Sequence, residues 1–285
     1  MAARSEEGRF DGSGGASVFW RAWLPDDEPE AVVAIAHGAA EHSGRYSWVA
    51  GELAARGHAV YALDHRGHGR SAGQRAFVDR LESAVADLHA LCDRARASRP
   101  RAPVFLLGHS MGGLIALTCA DRHQGELAGL ILSAPLAVIE AGPVARAAVR
   151  TLSRLTPRLP LHRIDATTVS RDPDVVRAYE RDPLNHRGRL PARTVGELAA
   201  GVAALPERLP QLGLPILAMH GTADRLVAPA GSALVRERAG SEDCTLIAYD
   251  GLYHELLNEP ERERVVADVA DWIAARVPEP AASAF

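Results

Sequence analysis

The chain has 285 residues, 47% hydrophobic and 24% charged, with a formal net charge of −4 at pH 7. This length accommodates one large α/β domain with an insertion or two small domains. The negative balance, the absence of any basic run longer than two residues and the lack of an interleaved aromatic patch give no case for nucleic acid. No stretch reaches the roughly 18 apolar residues of a membrane span. Met1 to Gly15 is polar and glycine-rich, without the apolar segment of a signal peptide. The expected location is therefore the cytoplasm, with peripheral contact to membranes as a further expectation. Cys92, Cys119 and Cys244 are isolated, odd in number and set in apolar patterns, which predicts buried reduced thiols and no disulfide framework.

Along the chain, short apolar runs alternate with helical patterns. Val18 to Leu24 and Ala31 to Ala36 read as strands, and Tyr46 to Arg56 as a helix ended by the C-cap glycine Gly57. The strand His58 to Leu63 precedes a helix from Phe77 to about Arg96, in which Phe77, Leu81, Val85, Leu88 and Cys92 fall on one face. Val104 to Leu107, the helix Met111 to Arg122 and Leu127 to Ser133 follow. The strands Ile216 to His220 and Cys244 to Ala248, with helices Ala228 to Ala239 and Arg262 to Arg276, complete the series. Continuous apolar strands separated by helices predict a mostly parallel sheet covered on both faces.

The alternation breaks between Leu136 and Leu214, a proline-rich stretch with no clear strand and helical patterns over Arg146 to Leu155 and Val195 to Leu205. Long insertions in compact domains are usually lids or binding elements. The predicted organisation is thus a core over 1–135 and 215–277, a helical cap over 136–214 and a flexible tail over 278–285. Leu136, Val138, Ile139, Val144, Val149, Leu152 and Leu155 give the cap an apolar face expected to meet lipid aggregates.

Gly108-His109-Ser110-Met111-Gly112 lies between an apolar strand and an apolar helix. A strand, a sharp G-x-S-x-G turn and a helix form the nucleophile elbow of the α/β-hydrolase fold. Ser110 must take a strained conformation to lift its Oγ clear of the sheet, and the flanking glycines lack the Cβ atoms that would crowd the turn. A serine nucleophile needs a base and an acid to orient it, in the chain order Ser, Asp or Glu, His. Asp224 follows the strand ending at His220, and His254 follows the last strand. They are the expected acid and base, with Asp250 the alternative acid. The Met111 backbone N–H, next to the nucleophile, is one expected oxyanion donor, and the Ala39 N–H, in the loop after Ala31 to Ala36, is the other.

Taken together, His37-Gly38-Ala39-Ala40-Glu41-His42-Ser43-Gly44-Arg45-Tyr46, Asp64-His65-Arg66-Gly67-His68-Gly69-Arg70-Ser71, Gly108 to Gly113 and His220-Gly221-Thr222-Ala223-Asp224-Arg225-Leu226 resemble the monoacylglycerol lipase family. The first of these motifs is the most specific, and the resemblance runs from about residue 10 to 276, more thinly in the cap. It implies a cofactor-independent serine hydrolase that cleaves monoacylglycerols, with Ser110, Asp224 and His254 as triad and Ala39 and Met111 as oxyanion donors. It also implies that Glu41, Arg45 and Tyr179 surround the glycerol end of the substrate. Ala40 departs from the family, whose members often have glycine there. A lysophospholipase or broad carboxylesterase is the nearest alternative, a peptidase of the superfamily a third, and a non-catalytic ligand-binding scaffold the alternative of another class.

Other patterns fall short of their motifs. His37-x-x-x-Glu41-His42 has one residue too many for a metalloprotease helix, and His65-x-x-His68 lacks a third ligand, so no metal is expected. Gly67-x-Gly69-x-x-x-Gly73 misses the dinucleotide fingerprint by one residue. Asp64 precedes the nucleophile and suits an anchor for the active-site loops. Oligomeric state and acyl-chain length are not encoded in any motif.

Overall fold

The computed structural model describes residues 4–277, so the expected 278–285 tail lies outside the described residues. It opens with a strand that the sequence pattern does not announce: β1 (Arg4–Asp11) pairs antiparallel with β2 (Ser17–Leu24), Arg4 opposite Leu24 and Asp11 opposite Ser17. β1 has little apolar sequence because it is an edge strand, and its charged side chains discourage pairing with another chain. Next come β3 (Ala31–Ala36), helix α1 (Ser47–Ala55), β4 (His58–Leu63), α2 (Leu81–Ser98), β5 (Val104–His109), α3 (Met111–His123) and β6 (Gly129–Ser133). The predicted C-cap stands, with Gly57 at φ +84° closing α1. α2, however, begins at Leu81, four residues later than Phe77. The Val78 N–H is taken by Thr194 Oγ1, and the Leu81 N–H by the Glu197 carboxylate, so the helix starts where a distant side chain caps it.

Between β6 and the next sheet strand lie α4 (Pro143–Leu155), β7 (Pro160–Arg163), α5 (Pro173–Arg181), β8 (Arg189–Pro191) and α6 (Ala192–Arg208). The two helices expected here are present and longer. The expectation of no strand is corrected by the β7–β8 ribbon, and α5 is an additional helix. Both strands carry prolines and run only three or four residues, too short for a period-2 pattern to be read. The chain returns through β9 (Ile216–Gly221), α7 (Ala230–Arg238), β10 (Cys244–Tyr249) and α8 (Arg262–Ala274).

The eight-stranded sheet has the order β1-β2-β4-β3-β5-β6-β9-β10 and is parallel from β4 to β10. Strand alternation divides the core into two layers. Ile35, Leu107, Ile131 and Leu217 face α1 and α8 through Leu53, Val266 and Ile273. Ala34, Leu106, Leu130 and Ile216 face α2, α3 and α7 through Leu88, Leu114 and Val235. This is the α/β-hydrolase architecture. The three cysteines are buried and free.

The turn from β5 into α3 is tightly packed. Ser110 has φ 54° and ψ −118°, a strained conformation for a residue with a side chain. A Cβ on Gly112 would lie 2.1 Å from the Ala36 carbonyl oxygen and 2.5 Å from that of His37, both fixed at the end of β3. Overpacking of this kind costs roughly 1–3 kcal/mol. Gly112→Ala is therefore expected to lower Tm by several degrees, at about 2–4 °C per kcal/mol, and to reduce activity by displacing the oxyanion loop. Differential scanning calorimetry checks it, and an unchanged Tm contradicts the close approach.

Candidate active site

Loops at the carboxyl ends of β3, β5, β9 and β10 meet above the sheet, where α/β folds place their ligands. Ser110, Met111, Gly38, Ala39, Asp224 and His254 all line one cavity of about 580 Å³. His254 Nδ1 lies 2.7 Å from Asp224 Oδ2, so the expected acid and base are in contact. The alternative acid is elsewhere: Asp250 accepts a hydrogen bond from the Thr222 hydroxyl on an exposed turn. Asp224 Oδ1 accepts the Leu226 and Val227 N–H groups at 2.8 and 3.0 Å. Burial alone would raise the Asp224 pKa. Hydrogen bonds from His220 and His254, with the Val227 N–H, hold it well below the usual carboxylate range.

The two expected oxyanion donors stand on either side of the elbow. Met111 is the first helical residue of α3, where an N–H has no intrahelical acceptor. Ala39 follows Gly38, whose Cα side lies against the nucleophile: a Cβ there would meet Ser110 Cβ at 3.3 Å. Ala40 has φ 66°, the left-handed conformation that favours glycine. Its carbonyl accepts the His186 N–H at 2.9 Å, tying the loop to the segment before β8.

Of the three residues expected at the glycerol end, the structure brings two to the cavity. Glu41 and Tyr179 line it; Arg45 is not among its lining residues. The Arg45 guanidinium is engaged by three contacts, Glu41 Oε2 at 2.9 Å and Glu255 Oε1 and Oε2 at 2.5 and 2.6 Å. Arg45 therefore links the loop after β3 to the His254 loop through two buried carboxylates, which engage three of its five N–H donors. Glu41 also accepts the Gly38 N–H at 2.6 Å and the Tyr46 hydroxyl at 2.8 Å. Burial would raise the Glu41 pKa, but Arg45, His109 and His37, helped by the Gly38 N–H, bring it down to about 2. Tyr179 packs its ring 4.8 Å from Arg45 Cζ, and its hydroxyl donates to Ala40 O at a long 3.5 Å.

Glu255 and His220 are the participants that sequence reasoning passes over. Glu255 adjoins His254, so only its acidic type next to the base hinted at a role. His220 was visible in the H-G-x-x-D motif, yet nothing in the spacing says that it contacts Asp224. The rejected metal patterns have other uses. His37 Nε2 accepts the His65 N–H, and His42 Nε2 bonds Asp182. Asp64 anchors loops as expected, accepting from the N–H groups of Ser43 and Arg70. Away from the site, His89, His123 and Glu126 come together on α2, the end of α3 and the following turn. The two rings stack 3.6 Å apart and only 15° from parallel, so their in-plane lone pairs do not converge, and Arg96 already holds the carboxylate.

The fold and the Ser110, His254 and Asp224 arrangement define the class: an α/β-hydrolase built for serine hydrolysis. The family model described as "Serine aminopeptidase, S33" (Hydrolase_4) matches residues 27–261. The chain is 44% identical to "Monoacylglycerol lipase" of Mycolicibacterium smegmatis over 97% of its own length and 100% of that protein. It is 38% identical to human "Monoglyceride lipase", covering 92% of this chain and 88% of that one. A crystal structure of Paleococcus ferrophilus monoacylglycerol lipase superposes with a TM-score of 0.80 at 27% identity, covering 96% and 99% of the two chains. The chain belongs to the monoacylglycerol lipase family of the Hydrolase_4 α/β-hydrolases.

Buried histidines give this site a pH signature. Burial, reinforced by His37 for His68 and by His254 for His109, lowers these two to about 3 and about 4. In the unfolded chain both would take up a proton near the ordinary imidazole value of 6.5, while the folded protein keeps them neutral. Stability therefore falls as pH drops from about 6.5. The depressed Glu41 acts in the same direction at lower pH: its stabilising contribution is complete above its unfolded value of 4.5 and is lost as pH falls towards about 2. Tm is expected to decline steadily between pH 6.5 and 4 in a calorimetric series. A flat Tm from pH 6.5 to 5 would contradict the neutral buried histidines.

Proposed function

We propose that this protein hydrolyses monoacylglycerols to a fatty acid and glycerol through an acyl-Ser110 intermediate. The observation that carries the reading is the His254–Asp224 contact opening into the same cavity as Ser110. Ser110 Oγ attacks the ester carbonyl while His254 Nε2 takes its proton, and Asp224 orients the imidazole through Nδ1–H. The Ala39 and Met111 N–H groups stabilise the tetrahedral oxyanion. Collapse expels glycerol, which takes the proton from His254, and a water activated by the same base releases the acid. Ser110→Ala is expected to lower turnover on the order of 10⁶-fold, and Asp224→Asn near 10⁴-fold. A fluorophosphonate probe should label wild type at Ser110. No labelling would favour a non-catalytic scaffold, and activity of Ser110→Ala within tenfold of wild type would sink the assignment.

Selectivity for the monoester follows from the alcohol end of the cavity. Tyr179, whose phenol makes only one long hydrogen bond, and Glu41 face it, with Arg45 holding both in place. Polar groups left unpaired by a di- or triacylglycerol would cost roughly 1–3 kcal/mol each. Tyr179→Phe is expected to lower kcat/KM for monoacylglycerol more than for p-nitrophenyl butyrate. Equal losses would count against glycerol recognition, and efficient triacylglycerol hydrolysis would rule it out in favour of a broad esterase.

Residues 136–214 act in this reading as a cap. Leu136, Val138 and Ile139 line the cavity and belong to the acyl path. Val144 and Leu155 stand 82% and 76% exposed on α4 beside the exposed Arg146, Arg150 and Arg154, a surface suited to an anionic lipid interface. Among the described residues no helix is long and apolar enough to cross a membrane, so this contact would be peripheral. Ser110→Ala protein is expected to co-sediment with anionic phospholipid vesicles, and Val144→Asp with Leu155→Asp to abolish it. No sedimentation of the parent would remove the membrane role.

A further inference from the structure

We infer that His220, backed by Ser232, is a positioning residue for Asp224: a second imidazole that ties the acid to the rigid core. The inference rests on the triad reading proposed above and assigns a role to residues outside that triad. Asp224 Oδ2 is shared by two imidazole nitrogens, His254 Nδ1 at 2.7 Å and His220 Nε2 at 3.0 Å. The donors to Oδ1, the Leu226 and Val227 N–H groups, belong to the same loop as Asp224 and move with it. His220 differs, since it stands on β9, and Ser232 on α7, both packed in the core.

The hydrogen bonds fix the tautomer. His220 Nε2 faces two acceptors, Asp224 Oδ2 and the Val227 carbonyl at 3.1 Å, so it carries the hydrogen. Nδ1 is then an acceptor, and the Ser232 hydroxyl lies 2.8 Å from it; the other acceptor open to that hydroxyl, Met219 O, is farther away at 3.4 Å. The chain runs Ser232 O–H to His220 Nδ1, His220 Nε2–H to Asp224 Oδ2, and His254 Nδ1–H to the same oxygen. The Asp224 side chain is fully enclosed, and His220 and Ser232 are 2% and 0% exposed, so no bulk water can replace a missing member. Buried hydrogen bonds in such a chain polarise one another, and the loss of one leaves its partner unpaired. Without His220 the carboxylate would be held only by His254 and by donors of its own loop, and the line from Asp224 to His254 to Ser110 would loosen.

The experiment compares His220→Leu, His220→Gln and Ser232→Ala with wild type on one monoacylglycerol substrate. Glutamine can place an N–H near the position of Nε2, whereas leucine fills similar space and donates nothing. His220→Leu is expected to lower kcat by about tenfold to a hundredfold, as removal of a residue that orients an active ligand does in metal sites, with KM within about twofold. His220→Gln should recover most of that loss, and Ser232→Ala, which frees the tautomer, should fall between. His220→Leu within threefold of wild type would overturn the inference. So would His220→Gln as impaired as His220→Leu, since packing alone would then explain both. A neutral Ser232→Ala would overturn the tautomer lock. Fluorophosphonate labelling of wild type at Ser110, run alongside, separates failure of this inference from failure of the triad reading.

Discussion

The approach of the first turn of α3 to the end of β3 is the constraint from which the site follows. Gly112 lies against the Ala36 and His37 carbonyls, and Gly108 against the Gly112 carbonyl, so β3, β5 and α3 meet with no side chain between them. That distance sets two things at once. It forces the link from β5 to α3 through Ser110 at positive φ, and it brings the loop after β3 alongside the first N–H groups of α3. Ser110 and the Ala39 and Met111 backbones thus reach one cavity through a single backbone packing event. Glycine is needed there because any Cβ would have to displace backbone, which cannot swing aside as a side chain can.

Charge then secures what packing has placed. Two loops leave the sheet from β3 and β10, and each would be free to drift without a link between them. Arg45 supplies that link by binding Glu41 in one loop and Glu255, beside His254, in the other. Buried ion pairs of this kind are weak sources of stability, because desolvation offsets much of their attraction. Their value lies in direction: a bidentate guanidinium holds a carboxylate in one orientation. With two carboxylates to one guanidinium the group has an excess negative charge, moderated by the Tyr46 hydroxyl and Gly38 N–H on Glu41 and the Asn258 amide on Glu255. Truncating Arg45 would leave both acids buried and unpaired, a loss of roughly 3–5 kcal/mol.

How far the sequence could be read depended on where each residue gets its partners. The inner strands are legible because burial on both sides demands continuous apolar runs, and Ser110, Asp224 and His254 because each directly follows such a run. The strand β1 escapes that logic. Its pairing with β2 is made by the backbone, and its side chains, apart from Phe10, have no need to be apolar. The start of α2 was misplaced for a related reason, since Thr194 and Glu197, more than a hundred residues away, decide which N–H groups the helix loses. α5 spans only nine residues, opened by Pro173 and with Tyr179 its one buried residue, too short a window to stand out in a proline-rich stretch. The part of the site read least well is the part made of side-chain pairs across loops. Local spacing puts Glu41 and Arg45 one helical turn apart, but only the fold reveals that Glu255 completes the coordination of Arg45.

The connections between cap and core bear on what the cap can do. The Ala40 carbonyl of the oxyanion loop receives the His186 N–H and the Tyr179 hydroxyl, His42 bonds Asp182, and the Glu255 N–H donates to Val169 O. Every one of these joins the segment from Val169 to His186 to a loop that carries a site residue. α4, by contrast, rests along α6, with Val144 and Leu155 turned to solvent, and none of these bonds starts from it. The 136–214 segment therefore divides into a half fastened to the loops after β3 and β10 and a half that is not. Under the proposed lipid contact, movement would be absorbed by α4 and its flanking segments, which border the cavity through Val138 and Ile139. The alcohol side, fixed by Tyr179, would keep its geometry. In the proposed reading, that division would admit apolar chains of varied shape while the ester and its alcohol stay in one position against Ser110.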